Sequence, residues 1–217
     1  MNKNKVKVII EKLENVYFGA KPALEFSTNY ELLVAVILSA QCTDERVNKV
    51  TKILFKEYNT PEKMLKLTKE ELAKIILPCG LNNSKAEHIL GASQKIVSDY
   101  NSVVPSEYDD LLSLPGVGRK TANVVSAVGF DKDAIAVDTH VFRVSNRLGL
   151  VKAKNPLQTE KALQKAIDKD MWSKAHHYLI YHGRRVCTAR SPKCKECFLR
   201  LECEYKNKGE IWYLKIF

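Results

Sequence analysis

Close to the end of the chain, Cys187, Cys194, Cys197 and Cys203 are separated by six, two and five residues. Four thiolates suit either a tetrahedral zinc ion or a 4Fe–4S cluster. Structural zinc sites usually show two C-x₂-C pairs, and this tail has one. The chain starts with a lysine-rich stretch, Met1 to Glu14, without the apolar segment and small-residue cleavage site of a secretion signal. A reducing compartment is therefore expected, and there a dense group of cysteines points to metal before disulfides. From His182 to Lys208, eight Lys/Arg stand against three Glu. The whole chain of 217 residues carries a formal charge of +10. That balance favours an anionic partner, most often nucleic acid, and the clustering in one segment strengthens the reading.

A second stretch with chemical potential is Leu111-Leu112-Ser113-Leu114-Pro115-Gly116-Val117-Gly118-Arg119-Lys120-Thr121-Ala122. It predicts a helix end, a tight turn and a new helix. Two glycines two apart permit unusual backbone dihedrals and leave no side chain in the way. The backbone N–H groups of Gly116, Val117, Gly118 and Arg119 can then gather at the positive end of the second helix. That arrangement binds phosphate without reading sequence. Lys120 follows directly. From the residues alone it serves equally as a phosphate contact or as an amine nucleophile. For the second role the amine must lose its proton, and a helix N-terminus and the neighbouring Arg119 cation both disfavour the charged form. Asp138 follows the apolar run Ala134 to Val137 and precedes Thr139-His140-Val141-Phe142. On residue type alone it is a helix N-cap.

The elements that must position these groups are helical. Hydroxyl residues followed three positions later by a carboxylate mark capping boxes at Thr28/Glu31, Thr68/Glu71 and Ser84/Glu87. Thr60-Pro61 reads as an N-cap followed by proline at the first helical position, and Asp44 is expected to cap the helix after it. Apolar residues then recur at three- and four-residue spacing, as in Leu65, Leu72, Ile75 and Ile76. Alternating strand patterns are scarce. The expectation is an all-α protein with helices near 6–16, 30–40, 44–58, 61–66, 69–77, 84–99, 107–113, 119–129, 139–148, 157–168 and 171–182. After His182 the periodicity fails, so the tail needs something other than helix packing to hold it. The longest apolar run, Leu32 to Leu38, has seven residues. A membrane span needs about 20, so this is a core helix and the protein is expected in the cytoplasm. Cys42 and Cys79 are expected to be small buried residues.

The chain resembles endonuclease III, within the helix–hairpin–helix DNA glycosylase superfamily. The hairpin Leu114-Pro115-Gly116-Val117-Gly118-Arg119-Lys120-Thr121-Ala122 carries the resemblance, and so do four further blocks. These are Glu31 to Gln41, Gly80-Leu81-Asn82-Asn83-Ser84-Lys85-Ala86, Ala136 to Val144, and the cysteine tail. Recognisable blocks run from about residue 27 to 206, and residues 209–217 match nothing recognised.

The resemblance implies a six-helix barrel domain over 22–132 and an iron–sulfur cluster domain formed by 1–21 and 133–217, with DNA crossing where Lys120 and Asp138 meet. It implies a bifunctional DNA glycosylase/AP lyase acting on oxidised pyrimidines in duplex DNA, as a monomer. Lys120 would be the nucleophile and Asp138 the catalytic carboxylate. Cys187, Cys194, Cys197 and Cys203 would hold a 4Fe–4S cluster. Gln41 and Leu81 would enter the duplex to fill the space left by an extruded nucleotide. Gly116, Val117, Gly118, Arg119 and His140 would contact DNA, as would Arg190 and Lys193 in the loop between the first two cysteines. His176, His177 and His182 are read as packing or phosphate-contact residues. Two rivals remain in view. A mismatch-specific adenine glycosylase shares the cluster, but usually lacks the hairpin lysine and carries a further domain for which this chain is too short. A non-catalytic DNA-binding module would need neither Lys120 nor Asp138.

Overall fold

The computed structural model describes residues 3–19 and 23–205. Every regular element among them is helical, with eleven α-helices and three short 3₁₀ turns. They fall into two compact units, one within Pro22–Lys132 and the other within Met1–Lys21 and Asp133–Phe217.

The Pro22–Lys132 unit holds α2 (Asn29–Leu38), α3 (Asp44–Leu54), α4 (Pro61–Met64), α5 (Lys69–Ile75), α6 (Asn82–Asp99), α7 (Tyr108–Leu112) and α8 (Arg119–Gly129). Helix α2 is apolar all round, as a helix surrounded by others must be, and every residue from Tyr30 to Leu38 is buried. Its one carboxylate, Glu31, is satisfied by the Ser27 N–H at 2.6 Å, while the Glu31 N–H donates to Thr28 Oγ1 at 3.1 Å. Thr68 and Glu71 form the full reciprocal box expected of them. Thr60 caps α4 with Pro61 at its first position.

Two expected caps are different. Helix α6 starts at Asn82 behind Leu81, which takes a left-handed backbone as N-cap. Ser84 therefore lies inside the first turn, and Glu87 pairs with Lys69 at 2.6 Å instead. Helix α3 is capped by Thr43, whose side chain accepts the Arg46 N–H, and Asp44 is its first helical residue. There an acidic side chain still favours the helix dipole. Cys79 is buried, but Cys42 is half-exposed.

The second unit packs α1 (Lys3–Tyr17), α9 (Thr139–Leu148), α10 (Pro156–Ala166) and α11 (Trp172–Arg185) around one core. Helix α11 runs three residues past the expected end at His182. The tail beyond it is nearly irregular. Leu199 sinks fully into the core, and Lys12 and Lys5 on α1 pair with Glu202 at 2.7 Å and Glu204 at 3.0 Å.

Candidate active site and metal centre

In the Pro22–Lys132 unit the predicted hairpin is built as α7, a turn and α8. Gly116 has φ +75°, and a Cβ there would stand 2.6 Å from the His88 Cβ. Both the dihedral and the space exclude a side chain. Gly118 is different: its backbone is extended, φ −90° and ψ 177°, and a Cβ would meet nothing within 4 Å. Glycine at 118 leaves open space in front of the helix start. The turn is closed by the Val117 N–H donating to the Leu114 carbonyl at 3.1 Å. Val117 turns its side chain inward and is buried, and its N–H is spent on that turn bond, so Val117 itself offers no donor to a ligand. No side chain caps α8, leaving its first-turn N–H groups aimed outward. Arg119 lies with its guanidinium 5.7 Å from the Tyr108 ring centroid. Lys120, the second residue of α8, is exposed.

The same unit presents two loop tips. Gln41 is exposed, with φ 55°. It sits in a turn closed by the Cys42 N–H donating to the Ser39 carbonyl at 3.1 Å. Leu81 also has a left-handed backbone, φ 50°, and is 56% exposed. L-residues rarely hold such dihedrals, and they persist where the surroundings fix them, often at ligand clamps.

The other unit carries Asp138 and the cysteines. Asp138 caps α9, its Oδ1 accepting the His140 and Val141 N–H groups at 2.8 Å each. The extended segment before it is anchored by the His176 ring, whose Nδ1 lies 2.7 Å from the Ala136 carbonyl oxygen. His140 is half-buried. Burial lowers its pKa, Asp138 acts in the opposite sense, and Arg143 and Arg184 lower it further.

Cys187, Cys194, Cys197 and Cys203 line one cavity with His182, Leu148 and Arg200. All four thiols are free and half-buried. Among the described residues, no three His, Cys, Asp or Glu side chains are grouped to grip a single ion. Two partners sequence reasoning missed stand beside the sulfurs. The Arg147 guanidinium approaches Cys187 Sγ at 3.6 Å and donates to the Thr188 and Ala189 carbonyls at 2.7 and 2.9 Å. His182 Nε2 lies 3.6 Å from Cys197 Sγ, while its Nδ1 lies 3.2 Å from the Tyr17 hydroxyl. With Tyr17 donating to Nδ1, the Nε2–H is directed at the sulfur. His182 is fully buried, which rules out the phosphate contact considered for it. Burial also drives its pKa down to about 4, so the ring is neutral. Arg143 completes the scaffold, donating to the Cys187 and Gly183 carbonyls at 3.1 and 3.0 Å and meeting His140 Nδ1 at 3.1 Å. Arg190 and Lys193 are exposed on the loop between the first two cysteines.

Residues 34–169 match the family model of the HhH-GPD superfamily base excision DNA repair proteins. Endonuclease III of Bacillus subtilis is 46% identical over 211 residues, covering 97% of this chain and 96% of its own. The chain belongs to the endonuclease III family. The structure of a trapped endonuclease III–DNA covalent intermediate superposes with a TM-score of 0.92 at 44% identity, covering 97% of this chain and 99% of that one. A thermostable thymine-DNA glycosylase shares the fold with a TM-score of 0.84 at 27% identity, over 94% and 98% of the two chains. The all-α expectation and the resemblance both hold. Among the described residues, no helix is long and apolar enough to cross a membrane.

Proposed function

We propose that this protein is a bifunctional DNA glycosylase and AP lyase that removes oxidised pyrimidines from duplex DNA in the cytoplasm. The observation that carries the proposal is Lys120, an exposed lysine in the uncapped first turn of α8 behind a glycine turn, in a member of a family with a trapped covalent DNA intermediate. The hairpin turn holds a phosphate at the start of α8 through backbone N–H groups other than that of Val117, which brings the Lys120 amine to the deoxyribose. The amine lone pair attacks C1′, the C1′–N bond breaks, and the base leaves with that electron pair and takes up a proton. Opening of the sugar ring gives an imine between Nζ and C1′. Its positive nitrogen acidifies the C2′ hydrogens, so loss of one proton drives out the 3′ phosphate by β-elimination. Asp138 stabilises positive charge developing on the sugar and relays protons. Gln41 offers a donor and an acceptor to the unpaired partner base, and Leu81 supplies the apolar wedge.

Cys187, Cys194, Cys197 and Cys203 fit a 4Fe–4S cluster. Four free thiols line one cavity, and N–H donors from Arg147 and His182 lie beside two of the sulfurs, as ligand sulfurs of such clusters favour. A bound cluster would add a cross-link to those that Lys5, Lys12, Arg143 and Arg147 already give this irregular tail. The loop it closes presents Arg190 and Lys193 to phosphate.

The test is borohydride trapping. An imine between Lys120 and C1′ is reduced to a stable crosslink, whereas a glycosylase that uses water leaves nothing to trap. Lys120→Gln is expected to bind lesion-bearing duplex while losing trapping and strand cleavage. Full trapping by that variant moves the nucleophile elsewhere. Base release without trapping by the wild type makes the enzyme monofunctional.

A further inference from the structure

Lys85 is a charged residue with no part in the chemistry above, yet it is 3% exposed. It belongs to the first turn of α6, where its N–H donates to the Leu81 carbonyl at 2.9 Å. Its side chain runs inward, and Nζ donates to two backbone carbonyls, Leu38 and Cys79, at 2.8 Å each. Leu38 is the last residue of α2. Its carbonyl is one of the orphan acceptors every helix leaves at its C-terminus, and a cation is favoured there. Cys79 ends the 3₁₀ turn Leu77–Cys79.

The two acceptors have a common consequence. Three residues after Leu38 comes Gln41, and two residues after Cys79 comes Leu81. Both tips hold left-handed backbones, with φ 55° and 50°. One amine thus fastens the roots of both exposed tips to each other and, through α6, to the rest of the unit. Burial of this amine lowers its pKa, a penalty that a merely solvated lysine avoids. A buried polar group so fully committed to backbone acceptors on two different elements specifies a geometry.

We propose that Lys85 is the positioning residue that sets the Gln41 and Leu81 tips in fixed register, so that they enter the duplex as one unit. The proposal rests on the reading of Gln41 and Leu81 as the inserting residues. Lys85→Met keeps length and bulk and removes the donors. It is expected to cut single-turnover excision of an oxidised pyrimidine from duplex DNA about tenfold or more. Cleavage of a preformed abasic site in single-stranded DNA, where nothing is extruded, is expected to stay within about twofold. A merely structural role would lower both together.

The register itself is read by a double-mutant cycle on duplex excision. With Lys85 present, the losses from Gln41→Ala and Leu81→Ala are expected to be strongly non-additive. In the Lys85→Met background they are expected to become additive. Lys85→Gln, whose shorter side chain reaches one carbonyl but not both, is expected to fall between wild type and Lys85→Met. Unchanged duplex excision by Lys85→Met, equal losses on both substrates, or a cycle that is the same in both backgrounds overturns the proposal. Failure of both Lys85 variants to fold, shown by lost helical circular dichroism, makes the residue a plain structural staple and equally overturns it. Absence of duplex excision by the wild type is a different result, for it overturns the enzymatic reading itself.

Discussion

The two hairpin glycines predict opposite phenotypes from the same substitution. Gly116→Ala places a methyl group 2.6 Å from the His88 Cβ and 2.8 Å from its Cγ, at a backbone φ of +75°. The left-handed backbone costs roughly 1–2 kcal/mol for an L-residue, and overpacking adds about 1–3 kcal/mol. The stiffer unfolded chain returns about 0.4–1 kcal/mol. A net loss of about 2–3 kcal/mol is expected, which lowers Tm by roughly 5–10 °C in a chain of this size. His88→Ala should relieve little of it, because the closest clashing atom is the Cβ that alanine keeps.

Gly118→Ala meets nothing within 4 Å, and alanine adopts its extended backbone readily. Stability should stay within about 1 kcal/mol. The new methyl instead enters the open space before α8 that is proposed to receive a phosphate. Affinity for duplex DNA is expected to fall about tenfold, which is about 1.4 kcal/mol. The slope of log affinity against log salt should flatten by about 0.9, the share of one phosphate. Urea melts and salt-titrated binding on both variants decide the matter. A Gly116→Ala protein within about 0.5 kcal/mol of wild type would refute the steric argument. Unchanged affinity and slope in Gly118→Ala would remove this turn from the DNA interface.

Three further outcomes are expected. Asp138→Asn keeps a side-chain oxygen for the His140 and Val141 N–H groups and should melt within about 0.5 kcal/mol of wild type while excision slows, whereas Asp138→Ala should also lose about 1 kcal/mol of stability; full excision by the Asn variant would leave Asp138 as a cap alone. Purified protein should carry about four iron and four sulfide per chain, and Cys194→Ser should lower both iron content and DNA binding; stoichiometric zinc without sulfide in anaerobically prepared protein would replace the cluster with a zinc site. Arg190→Ala and Lys193→Ala should each flatten the salt dependence of binding by about one phosphate equivalent without altering lesion preference, and unchanged slopes would take their loop out of contact with DNA.

Local chemistry makes the helices readable from the sequence, because caps and apolar periodicity act within a few residues. Thr28, Thr60 and Thr68 each start the helix that their side chains announce. Ser84/Glu87 has the same spelling and fails, because Leu81 takes a left-handed conformation and opens α6 earlier. Nothing in the residue type leucine predicts φ 50°; the surrounding fold imposes it. The scaffold around the thiols is hidden for a related reason. Arg147 reaches Thr188 and Ala189, and His182 reaches Tyr17, across 41, 42 and 165 residues of chain. Such contacts leave no periodic trace. Lys85 lies in a recognised block, yet its burial depends on carbonyls brought to it by two other elements.

Helix α9 gives the proposed cluster a route to the proposed chemistry. Asp138 is fixed at its N-terminus by two hydrogen bonds to one oxygen, and its second oxygen is the one the proposed chemistry turns to the sugar. One turn along, Arg143 grips the Cys187 and Gly183 carbonyls and meets the His140 ring. A further turn along, Arg147 holds the loop after Cys187 through two carbonyls. The two arginines project from the helix that Asp138 caps, and both end on the segment that carries the first thiol. The tail has little buried apolar area of its own to hold those carbonyls, Leu199 being its one fully buried side chain among the described residues. The proposed cluster, when bound, would therefore stabilise more than the loop it closes. By fixing the acceptors of Arg143 and Arg147, it would also steady the helix that Asp138 caps.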